Sequence, residues 1–222
     1  LDDLYLDTTC VDAHIHFPVD WVLLRDAVRT LMKATILIRK EGLTHRMQSP
    51  EEFMRRMNQL CIEMTHTRRK KKAKRYRKGI LRSMKKLCKT IAAHAKRHMQ
   101  LLINHWPETT YSENEAWVII ARMERILEQL PQAIYQAHER IIGERKVLDR
   151  EKILSLYESD IHVIVRGKAS NETEFGNTLL IAEQANGIIV GWRFFKGKAP
   201  KESQCLKSSL DEIGRASCRE RG

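Results

Sequence analysis

Hydrophobic positions along this chain follow two rhythms, and the rhythm changes twice. Residues 3–11 (Asp3-Leu4-Tyr5-Leu6-Asp7-Thr8-Thr9-Cys10-Val11) are rich in strand formers and predict a half-buried strand. Pro18 and Asp20 then introduce a helical period carried by Trp21, Leu23, Leu24, Ala27, Val28, Leu31 and Met32, with Asp20 placed to cap it. Ser49-Pro50-Glu51-Glu52 opens a second helix: serine caps, proline suits the first turn, and the acids complement the helix dipole. From 50 to 104 only Gly79 interrupts, so a long helical stretch is expected to run to Pro107. Ser112-Glu113-Asn114-Glu115 starts another helix, carried by Trp117, Ile120, Met123, Ile126 and Leu127 to Pro131 and resumed through Ile134, Ala137, Ile141 and Ile142. Long antiparallel helices joined by turns follow from this pattern.

After residue 155 the period returns to that of strands. Ile161–Val165, Glu174–Ala182 and Ile188–Phe195 each read as extended, with Asn186-Gly187 as a hairpin turn between the last two. Strands therefore flank a helical block, and any single sheet has to be assembled across it. The expected fold class is α+β.

Composition sharpens this in one direction. With 42% hydrophobic residues among 222, the chain can bury a core, and its formal net charge of +12 predicts a polyanionic partner. No apolar run is long enough to span a bilayer, and no signal segment opens the chain, so a cytoplasmic location is expected. The five cysteines (Cys10, Cys61, Cys88, Cys205, Cys218) form no CxxC pair and read as free thiols.

The positive charge is concentrated. Arg68, Arg69, Lys70, Lys71, Lys72, Lys74, Arg75, Arg77 and Lys78 are followed by Arg82, Lys85, Lys86, Lys89, Lys96 and Arg97, with Tyr76, Ile80, Leu81, Met84, Leu87, Cys88 and Ile91 interleaved. The spacing predicts one helix with an apolar side and a broad cationic side. A solvated face is the plain alternative. Like charges this dense repel by a few tenths of a kcal/mol per pair, which favours a compensating polyanion such as duplex DNA.

The opening strand and its loop carry two competing chemistries. Asp12-Ala13-His14-Ile15-His16 has the His-x-His spacing of a zinc amidohydrolase strand, where period two would put both imidazoles on one side. The eight β/α units such a barrel needs are not evident in the helical, basic stretch that follows. The other reading makes Asp7 a metal ligand in phosphoryl transfer, because a carboxylate in a central strand is costly without a metal or partner.

Two blocks supply a context for Asp7. Asp7-Thr8-Thr9-Cys10-Val11 through Phe17-Pro18-Val19-Asp20-Trp21 to Arg29 resembles the first-aspartate block of DDE transposases from bacterial insertion sequences. Val165-Arg166-Gly167-Lys168-Ala169, Glu174-Phe175-Gly176-Asn177 and Gly187-Ile188-Ile189-Val190 resemble the next β block of the same group, in its ISNCY-like branch. The resemblance implies a ribonuclease-H-like core, of which this chain would hold the first three strands, interrupted by a large basic all-α insertion. It implies an enzyme of DNA transposition that cleaves and transfers strands at insertion-sequence ends. Two aspartates and a glutamate would there hold two Mg²⁺ (or Mn²⁺) ions about 3.5–4 Å apart. Asp7 matches the first aspartate as catalytic and metal-binding residue. Glu174 does not match the second, and neither the second aspartate nor the glutamate follows, so this chain by itself is expected to be inactive.

On this reading residues 1–32 hold the first strand and helix of the core, 33–153 the DNA-contacting insertion, and 154–212 the second and third strands with a following helix. Double-stranded DNA is the implied partner, contacted by the basic run and by Arg166 and Lys168, with a homodimer in the full-length protein and nucleoid association when DNA is bound. A non-catalytic helical DNA-binding protein is the alternative. Residues 213–222 (Ile213-Gly214-Arg215-Ala216-Ser217-Cys218-Arg219-Glu220-Arg221-Gly222) match a translated sequencing-adapter frame and are expected to be an artefact of a chain cut at both ends.

Overall fold

The computed structural model describes residues 3–13, 15, 19–67, 72–148, 151–158, 160–168, 171–196, 199–200 and 204–205. It divides into two compact units, one of residues 17–157 and one of residues 1–16 with 158–222. The fold is mixed: four long helices and an antiparallel sheet.

The first unit is a helical bundle of α1 (Asp20–Lys40), α2 (Pro50–His66), α3 (Ala73–His105) and α4 (Glu113–Ile141). Each helix contributes its apolar stripe to one core. Leu24, Leu31 and Ile38 from α1 meet Met57 and Met64 from α2, Leu81, Met84, Ile91 and Leu102 from α3, and Ile120 and Met123 from α4. Such a core follows from apolar positions recurring every three or four residues. The helix starts read from sequence at Ser49 and Ser112 are both present. Ser49 Oγ accepts from the Glu52 amide at 3.2 Å, with Pro50 behind it. Ser112 and Glu115 form a reciprocal capping box.

Four expectations for the helices are corrected. Asp20 is not a cap. Val19 takes that position, and Asp20, one residue into the helix and buried, reaches across to α4, where Arg140 donates to its Oδ1 at 2.9 Å and Gln136 at 2.8 Å. The long stretch from 50 to 104 is two helices. The break falls in the basic run, with Lys72 in the left-handed region at φ 66° just before α3, whereas Gly79 sits inside α3. Like charges disfavour continuing a helix there, and α3 has no acid in its first turn to offset its dipole. α4 runs through Pro131 without stopping. Pro131 is on the exposed face, where the carbonyl it deprives of a donor can bond water. Finally, α1 belongs to the helical unit, not with the first strand in a catalytic core.

The second unit is a sheet of β1 (Leu4–Asp12), β2 (His162–Lys168), β3 (Asn171–Gln184) and β4 (Ile189–Phe195). The sheet assembled across the helical block is therefore observed, with a strand at each of the four extended segments read from the sequence, where the resemblance implied three. β3 is the long central strand. β1 pairs with it antiparallel from Leu4↔Gln184 to Asp12↔Gly176, and β4 from Thr178↔Phe195 to Glu183↔Ile189. β2 pairs with its first half, so Gly176 has Asp12 on one side and His162 on the other. Asn186-Gly187 makes the expected turn. Gly187 is at φ +84°, its amide bonds the Gln184 carbonyl at 2.8 Å, and Asn186 Oδ1 accepts from the Ile188 amide. Register puts Cys10, Asp12, Glu174, Thr178, Leu180 and Ala182 on one face, of which Thr178, Leu180 and Ala182 are buried. Asp7, Ile181 and Trp192 line up across the other, where Trp192 is 70% exposed.

Among the described residues no two cysteines are joined to each other, as expected. Burial pushes the Cys88 thiol up to about 12, so it is inert. No described helix is long and apolar enough to cross a membrane.

Candidate nucleic-acid interface

The basic residues of α3 fall into two groups with different surroundings. Those on its first turns are engaged by the protein. Lys74 and Lys78 both pair with Glu144, at 3.1 and 2.7 Å, and these two lysines hold its carboxyl below the usual range. The guanidinium of Arg77 lies 5.2 Å from the centre of the Trp21 ring, a cation–π contact that holds it against α1. Lys72 and Arg75, with Tyr76 and Glu63, line an open groove of about 690 Å³ beside α2.

The second group faces outward together. Arg82, Lys85, Lys86 and Lys89 are spaced three and four residues apart, so a helix places them on one side. They line an open groove of about 480 Å³ between α3 and α4, closed by His138 and Ile142. Lys85 donates to His138 Nδ1 at 2.9 Å, which makes that nitrogen the acceptor. Among the described residues no carboxylate lines this groove. Four permanent cations side by side, facing solvent and unopposed by an acid, raise the local positive potential and attract anions.

The nine cations of the basic run that were singled out are therefore divided. Lys74 and Lys78 share Glu144, Arg77 sits over Trp21, and Lys72 and Arg75 line a groove that also contains an acid. Arg68, Arg69, Lys70 and Lys71 lie outside the described residues. Arg166 and Lys168 are on β2, and their side chains lie outside the described ones. Sequence density alone selected the start of the run. The information it lacked was Glu144, which lies 70 residues from Lys74 and whose position no local pattern gives.

Asp7 is where the sequence places it, on β1, but its surroundings differ from expectation. The residue is exposed, and its Oδ1 accepts from the Thr8 amide at 2.8 Å. β1 pairs only with β3 among the described residues, so the strand lies at an edge of the sheet. The desolvation argument for a metal ligand thus loses its basis, because an exposed carboxylate costs little to keep charged. Among the described residues, the three side chains whose ligand atoms gather within 4.8 Å are Cys10, Asp12 and Glu174, and Asp7 faces away from them. That set contains a soft sulfur, which suits thiophilic metals and not Mg²⁺. The residues in hand therefore do not compose the two-magnesium site, and no catalytic step is derived through it. The His14-x-His16 pair lies outside the described residues, as does the adapter-like tail.

Comparison with known proteins returned nothing: no family model, no curated protein and no solved structure matches the chain.

Proposed function

We propose that this chain is the DNA-binding portion of an insertion-sequence transposase of the DDE type, and that it holds duplex DNA by its phosphates along α3. The observation that carries the binding half is the groove in which Arg82, Lys85, Lys86 and Lys89 stand together and to which no described residue adds an acid. Contacts of this kind give affinity and salt dependence without sequence discrimination. The transposase half rests on the resemblance of the blocks at Asp7, Arg166 to Ala169 and Glu174 to Asn177. The strand order β1–β3–β4, all antiparallel, is compatible with the opening strands of a ribonuclease-H-like sheet. A helical DNA-binding protein without catalysis is the second reading, favoured by the bundle having its own core.

Charge removal in the groove tests the binding. Each phosphate contact contributes about 0.9 to the slope of log affinity against log salt. Replacing Arg82, Lys85, Lys86 and Lys89 by Gln is expected to lower that slope by roughly three to four and to abolish binding at ~150 mM salt. Replacing Lys74 and Lys78 should cost less, since Glu144 already neutralises them in part. Glu144→Gln should tighten binding by freeing both. A fluorescence-anisotropy titration over a salt series reads all three, and an unchanged slope in the fourfold variant would remove the proposal.

A further inference from the structure

The connection between α1 and α2 is fastened to α3 by imidazoles. His94 and His98 lie one turn apart on α3, and His98 is fully buried. His45, from the connection, sets its ring 5.8 Å from that of His94 and 6.0 Å from that of His98, centre to centre. Two guanidiniums close the group. Arg97 Nη1 lies 2.7 Å from His45 Nε2. Arg39 Nη1 donates to the His45 carbonyl at 2.9 Å and lies 3.4 Å from His98 Nε2.

Donor chemistry then fixes protonation. A guanidinium only donates, so the ring nitrogen it meets must offer a lone pair. His45 and His98 are accordingly neutral, with their protons on Nδ1. For His98 this agrees with its Nδ1 lying 2.9 Å from the His94 carbonyl oxygen, to which it donates. The neighbours offer no compensation for a proton. The ionisable side chains acting on His94 are His45 and Arg97, and those on His98 are Arg39, His45 and His94, all basic. What α2 presents to His94 is the Phe53 ring, 5.8 Å away. Burial first, and these basic neighbours with it, hold His94 and His98 below the ordinary value of 6.5, although the hydrogen bond to the His94 carbonyl pulls His98 the other way.

We infer that His45, His94 and His98, gripped by Arg39 and Arg97, form an acid-sensitive latch that releases the α1–α2 connection from α3 on protonation. A proton on His45 or His98 turns the lone pair facing a guanidinium into an N–H, so a hydrogen bond is lost and a like charge is gained in one step. Released, His94 and His98 bind protons near 6.5, while in the latch they resist until lower pH. The latch is therefore at full strength above about 6.5 and weakens progressively as pH falls below it. A metal ion shared by three imidazoles is the competing use of such a group, and two guanidiniums seated against the ring nitrogens oppose it. This inference is independent of the transposase reading.

Hydrogen exchange of the amides of residues 41–49, corrected for intrinsic rates, tests it on the whole chain. Between pH ~7.5 and pH ~5.5, protection of this segment is expected to fall about tenfold or more, ahead of the core of α4. His45→Gln places an amide oxygen near where Nε2 stood and accepts from Arg97 at any pH, so most of the acid effect should vanish. Arg97→Met should already expose the segment at pH ~7.5 and leave little further change on acidification. Acid-insensitive protection in the wild type would overturn the latch, as would loss of protection in His45→Gln equal to that of the wild type. So would one equivalent of Zn²⁺ slowing exchange of the segment at pH ~7.5.

Discussion

A methyl group built on Gly176 would stand 2.1 Å from the backbone oxygen of Val11 and 3.0 Å from Cys10 Sγ. The obstacle is backbone, which cannot swing aside, so glycine at 176 permits the close approach of β1 to β3. Gly176→Ala is expected to destabilise the sheet unit by about 1–3 kcal/mol, as for other overpacked sites. Circular dichroism of thermal unfolding, with exchange of the 4–12 amides, checks it; unchanged pairing of β1 would refute it. Side-chain identity told different amounts at different positions. Ser49 and Ser112 act on amides three residues ahead, so their roles were legible in the sequence. Asp20 carried the same local signal for a cap and was misread, because its partners Arg140 and Gln136 come 120 and 116 residues later. Asp7 was read as a ligand from its place in a strand, but the face it points to and its exposure depend on which strands flank β1.

The same long-range contact governs behaviour at the scale of elements. Asp20 is 4% exposed and Arg140 43%, and together they tie the start of α1 to the last turns of α4. Removing one partner of a buried pair strands the other, which costs about 3–5 kcal/mol when both are buried. Because Arg140 is half in water and Gln136 stays behind as a donor, Arg140→Ala is expected to cost roughly 2 kcal/mol. Urea unfolding followed by tryptophan fluorescence would measure it, Trp21 being adjacent to Asp20. A cost indistinguishable from zero would show that Gln136 alone satisfies the carboxylate. Helix existence was readable here, since four amphipathic stripes of period 3.6 specify four helices whatever their order in space. Helix extent was readable only where a chemical stop exists. Pro131 is such a stop in sequence, yet α4 continues through it because packing on either side outweighs one missing hydrogen bond. α2 ends at His66 and α3 begins at Ala73 after the left-handed Lys72, a boundary that neither glycine nor proline marks in the sequence.

For the molecule as a whole, the chain passes from the sheet unit through the bundle, which has a core of its own, and back to the sheet unit. β1 precedes the bundle by sequence and pairs with β3 after it, from Leu4↔Gln184 to Asp12↔Gly176, so β1 joins the sheet only once the chain has returned from beyond the bundle. Such pairing is of high contact order and is expected to follow bundle formation in folding. The two readings of function part at this scale. If the chain belongs to a DDE transposase, Asp7→Asn in the product of the complete gene should lower strand cleavage at element ends by roughly 10² or more while duplex binding holds. Gel assays of cleavage and binding on the same preparation decide it, and equal cleavage by the variant would leave a DNA-binding protein without that chemistry.

By itself the sequence determined the kinds of element, the caps at Ser49 and Ser112, the hairpin at Asn186-Gly187, and the concentration of positive charge between Arg68 and Arg97. These depend on residues within about one turn of each other, where local sterics and hydrogen bonding decide. Tertiary structure alone decided how the cations are placed: Glu144 pairs with Lys74 and Lys78, and Arg82, Lys85, Lys86 and Lys89 line a groove to which no described residue adds an acid. It also decided that Asp7 lies exposed on the opposite face from Cys10, Asp12 and Glu174, and that three histidines and two arginines converge behind the α1–α2 connection. The physical reason is common to all three. Charge and protonation answer to whatever lies within a few ångströms, and in a folded chain those neighbours come from segments tens of residues apart.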